Sequence, residues 1–164
     1  MVDSQVELPG DLRRGETVLV SACLMGEDTT WEGGNELCQE LVDGLKKAGV
    51  VVVPVCPEVL GGLSIPRPPA EPIAGDGVDV LAGDSRIEVV GDGPELGTDV
   101  TLEFMRGAES TVALAQEHGA RFVFLAEGSP SCGVERTHSA GALIPGQGLT
   151  TAALRAAGIE VIGV

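Results

Sequence analysis

The feature that most constrains this chain is a run of apolar, β-branched residues that ends on a thiol. Val50–Val55 reads VVVVPV and is followed by Cys56-Pro57-Glu58. A run of this kind, with no polar residue to face water, is the pattern of a strand covered on both faces in a parallel sheet. Two more runs repeat the arrangement. Thr17–Ser21 leads through Ala22 to Cys23, and Arg121–Ala126 leads through Gly128-Ser129-Pro130-Ser131 to Cys132. In an open α/β sheet the carboxyl ends of the strands border the crevice where ligands bind. Parallel strands would therefore carry Cys23, Cys56 and Cys132 to one crevice.

The intervening segments suit such a sheet. Asn35 reads as the N-cap of a helix Glu36–Ala48, with Leu37, Leu41 and Leu45 at helical spacing and Gly49 as its stop. A long helix is predicted over Val100–His118, with Phe104, Ala108, Thr111, Leu114 and Ala115 along one face. A further helix is predicted over Thr150–Ala157, and strands over Arg86–Val90 and Ile159–Val164. The Gly- and Asp-rich stretch Gly75–Gly97 reads as an irregular excursion, a hairpin over the site, and Gly141–Leu149 as a glycine-rich loop. The expected architecture is a single three-layer α/β domain over residues 16–164 with a mainly parallel sheet, preceded by a flexible leader, Met1–Gly15. The layering is Rossmann-like, but neither GxGxxG nor GxxxxGK[ST] occurs, so both common phosphate loops lack their signature.

Charge and cysteine content narrow the function. With 10 basic against 25 acidic residues the formal charge is −15, which excludes a general nucleic-acid binder, since phosphate neutralisation needs clustered Lys and Arg. The four aromatics (Trp31, Phe104, Phe122, Phe124) are too few to stack successive bases of a single strand. No apolar run is long enough to span a bilayer, and the N-terminus has no signal-peptide h-region. The expectation is a cytoplasmic protein with no membrane or nucleic-acid partner. In that reducing compartment four cysteines point to metal binding or catalysis rather than to disulfides.

Three thiols without a local fourth ligand suit a [4Fe–4S] cluster with one iron left open, or a Cys₃ zinc site. The fourth, Cys38, falls inside the predicted helix and reads as a buried helix residue. Glu58, two residues past Cys56, reads either as an exposed loop acid or as a general acid/base. Ser129 and Ser131 are explained by turn chemistry, or by hydroxyls that hydrogen-bond a substrate. Arg67 and Glu71 are close enough in sequence to pair with each other or to orient a ligand. His118 ends a helix, where its charge complements the dipole.

Several segments in order then resemble one known family. They are Val20-Ser21-Ala22-Cys23-Leu24-Met25-Gly26, Val55–Leu63 (VCPEVLGGL), Pro66–Glu71 (PRPPAE), Gly97–Ala108 and Ser129-Pro130-Ser131-Cys132-Gly133, with the closing Ile144–Leu154 and Gly158-Ile159. These resemble the 2-thiouracil desulfurase family of small α/β proteins, over nearly the whole chain from Thr17. The resemblance implies an enzyme that removes sulfur hydrolytically from a thiocarbonyl of a small heterocycle. It also implies a [4Fe–4S] cluster on Cys23, Cys56 and Cys132, with the fourth iron free to take the substrate's sulfur. A catalytic acid maps to Glu58 and a catalytic serine to Ser129 or Ser131. The chain departs from the family at Thr30-Trp31-Glu32-Gly33, where an Arg-Tyr-Asp-Gly-like element is usual; this loop borders the expected pocket and bears on substrate identity. A reading from another class is a non-enzymatic iron–sulfur or zinc carrier or sensor on the same three cysteines.

Overall fold

The three apolar runs become neighbouring strands. In a computed structural model, which describes residues 6–164, β1 (Thr17–Ser21), β2 (Val51–Val55), β5 (Phe122–Leu125) and β8 (Glu160–Gly163) form one sheet in the order β2-β1-β5-β8. Every pairing in it is parallel. Ser21 lies opposite Val55, and Val20 opposite Phe124, so the carboxyl ends of the three cysteine-bearing strands are level.

Strand alternation divides the apolar residues between two faces. Val18, Val20, Phe122 and Phe124 pack against Leu41 and Leu45 of α1 (Gln39–Ala48). Leu19, Val123, Leu125 and Val161 face the other way, against Ala115 of α4 (Thr101–Glu117) and Leu154 of α5 (Leu149–Ala156). This is the expected three-layer α/β arrangement. One detail differs: β2 is an edge strand, with Val51 53% exposed, not a strand covered on both faces. An edge position also accommodates Pro54, which has no N–H for a ladder.

Helix α1 begins three residues later than predicted, with Cys38 at its N-cap. Asn35 instead accepts the N–H of Leu37 at 3.1 Å and donates to Asp28 at 2.8 Å, capping its own turn. Cys38 thus sits at the helix start, packed at the margin of the α1-side core.

The expected irregular excursion is ordered. β3 (Ala70–Pro72) pairs antiparallel with β4 (Ile87–Val89), and α3 (Gly77–Leu81) lies between them. Ala70, Val80, Ile87 and Val89 form a further core with Val100, Phe104 and Ala108 around α4. The stretch read as a glycine-rich loop holds a strand. β6 (Arg136–Ser139) and β7 (Ala142–Pro145) form a hairpin closed by Ala140 and Gly141, both with positive φ (49° and 85°). That pair of angles is the type I′ turn that suits strand twist.

Of the expected leader, Met1–Gln5 lie outside the described residues. Val6, Leu8 and Leu12 pack against the α1-side core, and Gly15 donates to the carbonyl of Gly49 at 2.8 Å. No helix among the described residues is long and apolar enough to cross a membrane.

Candidate active site

The carboxyl ends of β1, β2 and β5 open onto a cavity of about 600 Å³, and Cys23, Cys56 and Cys132 all line it. That volume is in the range of small-molecule sites. Each thiol is presented by a different local device. Cys23 lies in a 3₁₀ turn, Ala22–Met25, that ends at Gly26 in the left-handed region (φ 90°). Cys56 is the last extended residue before α2 (Pro57–Leu60). Pro57 follows it at the first helical position, where a missing N–H costs nothing. Helix α2 is seated on α4 by two glycines: a Cβ on Gly61 would run into the Glu103 carbonyl, and one on Gly107 into that of Pro57.

Cys132 depends on contacts from further away. The Ser129 hydroxyl accepts the N–H groups of Ser131 (3.1 Å) and Cys132 (3.2 Å), closing the turn after β5. The first N–H groups of α5 then hold it from below, Leu149 donating to the Pro130 carbonyl (2.8 Å) and Thr150 to that of Ser131 (2.9 Å). Gly148 has no room for a side chain against Ser131 and Cys132.

The thiols sense one another. Burial, then Glu36 and the Cys56 sulfur, push the Cys23 thiol up to about 12. Burial pushes Cys132 well above the ordinary thiol value, with Glu58, Cys56 and Cys23 adding to it and a hydrogen bond with Ser21 opposing. Both shifts favour the protonated thiol, and a bound cation would oppose them.

Beside them is a buried polar network. Glu58 accepts the Ser131 hydroxyl at Oε2 (2.6 Å) and the Arg67 Nε at Oε1 (3.0 Å). Arg67, with its side chain only 4% exposed, also donates to the carbonyls of Thr29 (2.9 Å) and Ser64 (3.2 Å), and its Nη2 lies 3.9 Å from the Cys56 sulfur. Arg67 therefore pairs with Glu58, not with Glu71. The two candidate serines divide the geometry: Ser131 donates to Glu58 but does not line the cavity, whereas Ser129 lines it and, while accepting two backbone N–H groups of its own turn, keeps its O–H to donate. A carboxylate fixed at one oxygen by a guanidinium and at the other by a buried hydroxyl can move a proton at a defined point.

Compared with known families, residues 18–163 match the 2-thiouracil desulfurases. The chain belongs to the 2-thiouracil desulfurase family. An uncharacterised protein of Bacillus subtilis (strain 168), YbbK, is 44% identical over 151 residues, covering 88% of this chain and 93% of that protein. Among solved structures, a [4Fe–4S]-dependent thiouracil desulfidase, TudS, is similar with a TM-score of 0.75 and 39% identity over 90% of each chain.

For a member of this family, the three thiols can be tested against the two metal groups their number suggests. Among the described residues no three His, Cys, Asp or Glu side chains come together tightly enough to hold one ion. Zinc needs its sulfurs about 2.3 Å from a single centre, so the Cys₃ zinc site has no ready-made geometry. A four-iron cluster takes each thiolate at a separate corner. Three thiols on one cavity, within electrostatic reach but not converged on a point, fit that donor set.

The loop expected at the pocket's border does form part of the wall, through Thr30, Trp31 and Glu32, with Thr29 ahead of them. Sequence reasoning missed other lining groups, among them His138 of β6, whose Nδ1 lies 2.7 Å from the Gly128 carbonyl. Glu127 lines the cavity too while its carboxylate accepts the N–H groups of Val134 (2.6 Å) and Glu135 (3.0 Å). No residue of Gly75–Gly97 lines the cavity, so that stretch does not cover the site; of the β3–β4 pair only Ala70 and Glu71 of β3 reach it.

Proposed function

We propose that this protein is a [4Fe–4S]-dependent desulfurase for a thiocarbonyl on a small planar heterocycle of the thiouracil type. Water replaces sulfur, so that C=S and H₂O give C=O and hydrogen sulfide with no net transfer of electrons. The observation that carries this reading is the convergence of three strand-end thiols on one cavity that also contains the Glu58 carboxylate. Membership of the family and the likeness to TudS support it.

Cys23, Cys56 and Cys132 would hold the cluster. When bound it supplies an iron without a protein thiolate, a Lewis acid for a thione sulfur. The chain's own residues supply the proton handling. Glu58 takes a proton from water or returns one to the departing group at Oε2, the oxygen hydrogen-bonded to Ser131. Ser131, 2% exposed and behind the cavity wall, fixes that oxygen with its hydroxyl and can relay its proton. Ser129, which lines the cavity and keeps its O–H to donate, is the serine placed to meet a bound ring. Arg67 keeps Glu58 paired in a site where an isolated carboxylate would be costly. All four cysteines are free, consistent with work in a reducing cytoplasm.

The test is anaerobic purification or reconstitution, iron and sulfide analysis, and incubation with 2-thiouracil. A brown protein that releases sulfide and forms uracil is the expected result. A protein that takes up no iron, with its thiols unmetallated after reconstitution, would overturn the assignment. Glu58→Gln should retain iron and lose turnover; full turnover in that variant removes Glu58 from the reaction.

A further inference from the structure

The aromatic residues are divided unequally. Phe104, Phe122 and Phe124 are all buried in the core, at 3%, 2% and 0% exposure. Trp31, the largest side chain in the protein, belongs to none of the buried clusters; it is 46% exposed and lines the same cavity as the three thiols. Cys132, on the same lining, is only 7% exposed, so the cavity runs from buried sulfur to an exposed aromatic ring.

The backbone under Trp31 is fixed while its side chain is left free. Gly33 donates to the Thr30 carbonyl (2.9 Å) and Gly34 to the Thr30 hydroxyl (3.0 Å), closing a tight loop with Gly33 in the left-handed region (φ 84°). The N–H of Arg67 donates to the Trp31 carbonyl (2.9 Å), and the Arg67 guanidinium reaches both Thr29 (2.9 Å) and Glu58 (3.0 Å). One residue thus ties the loop and the acid/base carboxylate to a common frame. An indole on a rigid loop, facing a cavity and unused by the core, is a preorganised surface for a flat ring.

We infer that Trp31 is the platform on which the substrate's heterocycle stacks, and so a specificity-determining residue for planar thionated bases. The inference rests on the desulfurase reading for the identity of the ring, but not for the existence of the platform. Stacking acts on the bound ring and not on the reacting C=S bond, so it strengthens ground state and transition state alike. Its removal should therefore appear in KM.

The chain has one tryptophan and no tyrosine, so its intrinsic fluorescence reports Trp31 alone. The experiment uses the cluster-loaded enzyme under anaerobic conditions, as wild type, Trp31→Phe and Trp31→Ala, with iron content and circular dichroism measured for each. Kinetics are run with 2-thiouracil. The wild type is also titrated with uracil, which has the ring without the sulfur, and excited at the red edge of tryptophan absorption. Trp31→Ala should raise KM about tenfold or more (about 1.4 kcal/mol) with kcat and iron content little changed. Trp31→Phe should restore most of the loss, and uracil should change the wild-type emission saturably. An unchanged KM in Trp31→Ala, or no saturable response to uracil, overturns the platform. If the wild type released no sulfide from 2-thiouracil, the desulfurase reading would fail separately. The uracil titration would then decide the platform alone: a saturable change upholds it and a flat one overturns it.

Discussion

Two arginines in this protein do similar chemistry in different surroundings. Arg67 donates to Glu58 and to the carbonyls of Thr29 and Ser64. Arg121 donates to both oxygens of Glu16 (2.6 and 2.9 Å) and to the side chain and carbonyl of Asp11 (3.0 and 2.9 Å), and its guanidinium lies 4.8 Å from the centre of the Phe122 ring. By sequence separation the second network looks the stronger. Burial reverses that order. The difference is in the arginines: the Arg67 side chain is 4% exposed and that of Arg121 37%, while Glu58 and Glu16 are alike at 17% and 11% and Asp11 is 70% exposed. In the drier site each charge interacts more strongly and is more costly to leave alone. On the surface, water and salt screen the same contacts. One arginine holds the Glu58 carboxylate in register beside the cavity; the other ties the N-terminal segment to the sheet.

Breaking the buried pair should have the largest effect. Arg67→Met leaves the Glu58 carboxylate without its cation, and removing one partner of a buried pair typically costs about 3–5 kcal/mol. We expect kcat with 2-thiouracil to fall by about a hundredfold, because the carboxylate loses the donor that fixes its position. Arg67→Lys keeps the charge but not the fork that reaches Glu58 and Thr29 together, so it should recover only part of the loss. Steady-state kinetics with iron analysis would check this. A kcat within a small factor of wild type in Arg67→Met would make Arg67 a structural tie of the same kind as Arg121.

Gly148→Ala approaches the same network without altering a charge. The new Cβ would overlap the carbonyl of Ser131 and the N–H of Cys132, so the turn has to move. The 2.6 Å bond from Ser131 to Glu58 would lengthen while the Arg67–Glu58 pair stayed intact. A displacement of this sort typically costs up to about a hundredfold in rate, with about 1–3 kcal/mol of overpacking strain. Kinetics and thermal unfolding of the variant would separate the two effects. Unchanged turnover would mean that the Ser131 bond is dispensable.

The same contrast explains what was legible in the sequence. Cys56-Pro57-Glu58 announces itself because everything that places it is local: an apolar run, a thiol at its end and a proline at the first helical position. The level strand ends follow from three such runs. The run could not show that β2 is an edge strand, because covered and half-exposed strands can share one apolar composition. The partner of Glu58 was not legible, since nothing periodic describes the path from Gly62 to Pro69 that brings Arg67 back to it. Nor was the division by which Ser131 meets Glu58 and Ser129 faces the cavity, which depends on α5 holding the turn from a distance. The β6–β7 hairpin was hidden by short, mixed strands and by an Ala-Gly turn in place of the usual Asn-Gly.

Arg121→Ala should have a much smaller effect, and one confined to stability. No atom of this network lines the cavity, so kcat and KM for 2-thiouracil should match wild type. The loss in thermal stability should shrink as salt is added, because exposed ion pairs are screened. A melting temperature that falls equally at low and high salt would instead point to lost packing on Phe122.

The finest distinction is in the pH dependence of that loss. The hydrogen bond with Arg121, aided by the Arg13 N–H, holds the Glu16 carboxyl below its ordinary value. A carboxylate with a depressed folded pKa binds fewer protons when folded than when unfolded. Its contribution is therefore fully present above the unfolded value, about 4.3 for Glu, and is lost as pH falls through the lower, folded value. The gap in melting temperature between wild type and Arg121→Ala should stay constant near neutral pH. It should close progressively below that unfolded value, once Glu16 is protonated in both states. A gap unchanged in strongly acidic solution would assign the stability contributed by Arg121 to its contact with Phe122. One that closes would assign it to the carboxylate, and the surface arginine would then differ from its buried counterpart in surroundings and not in kind.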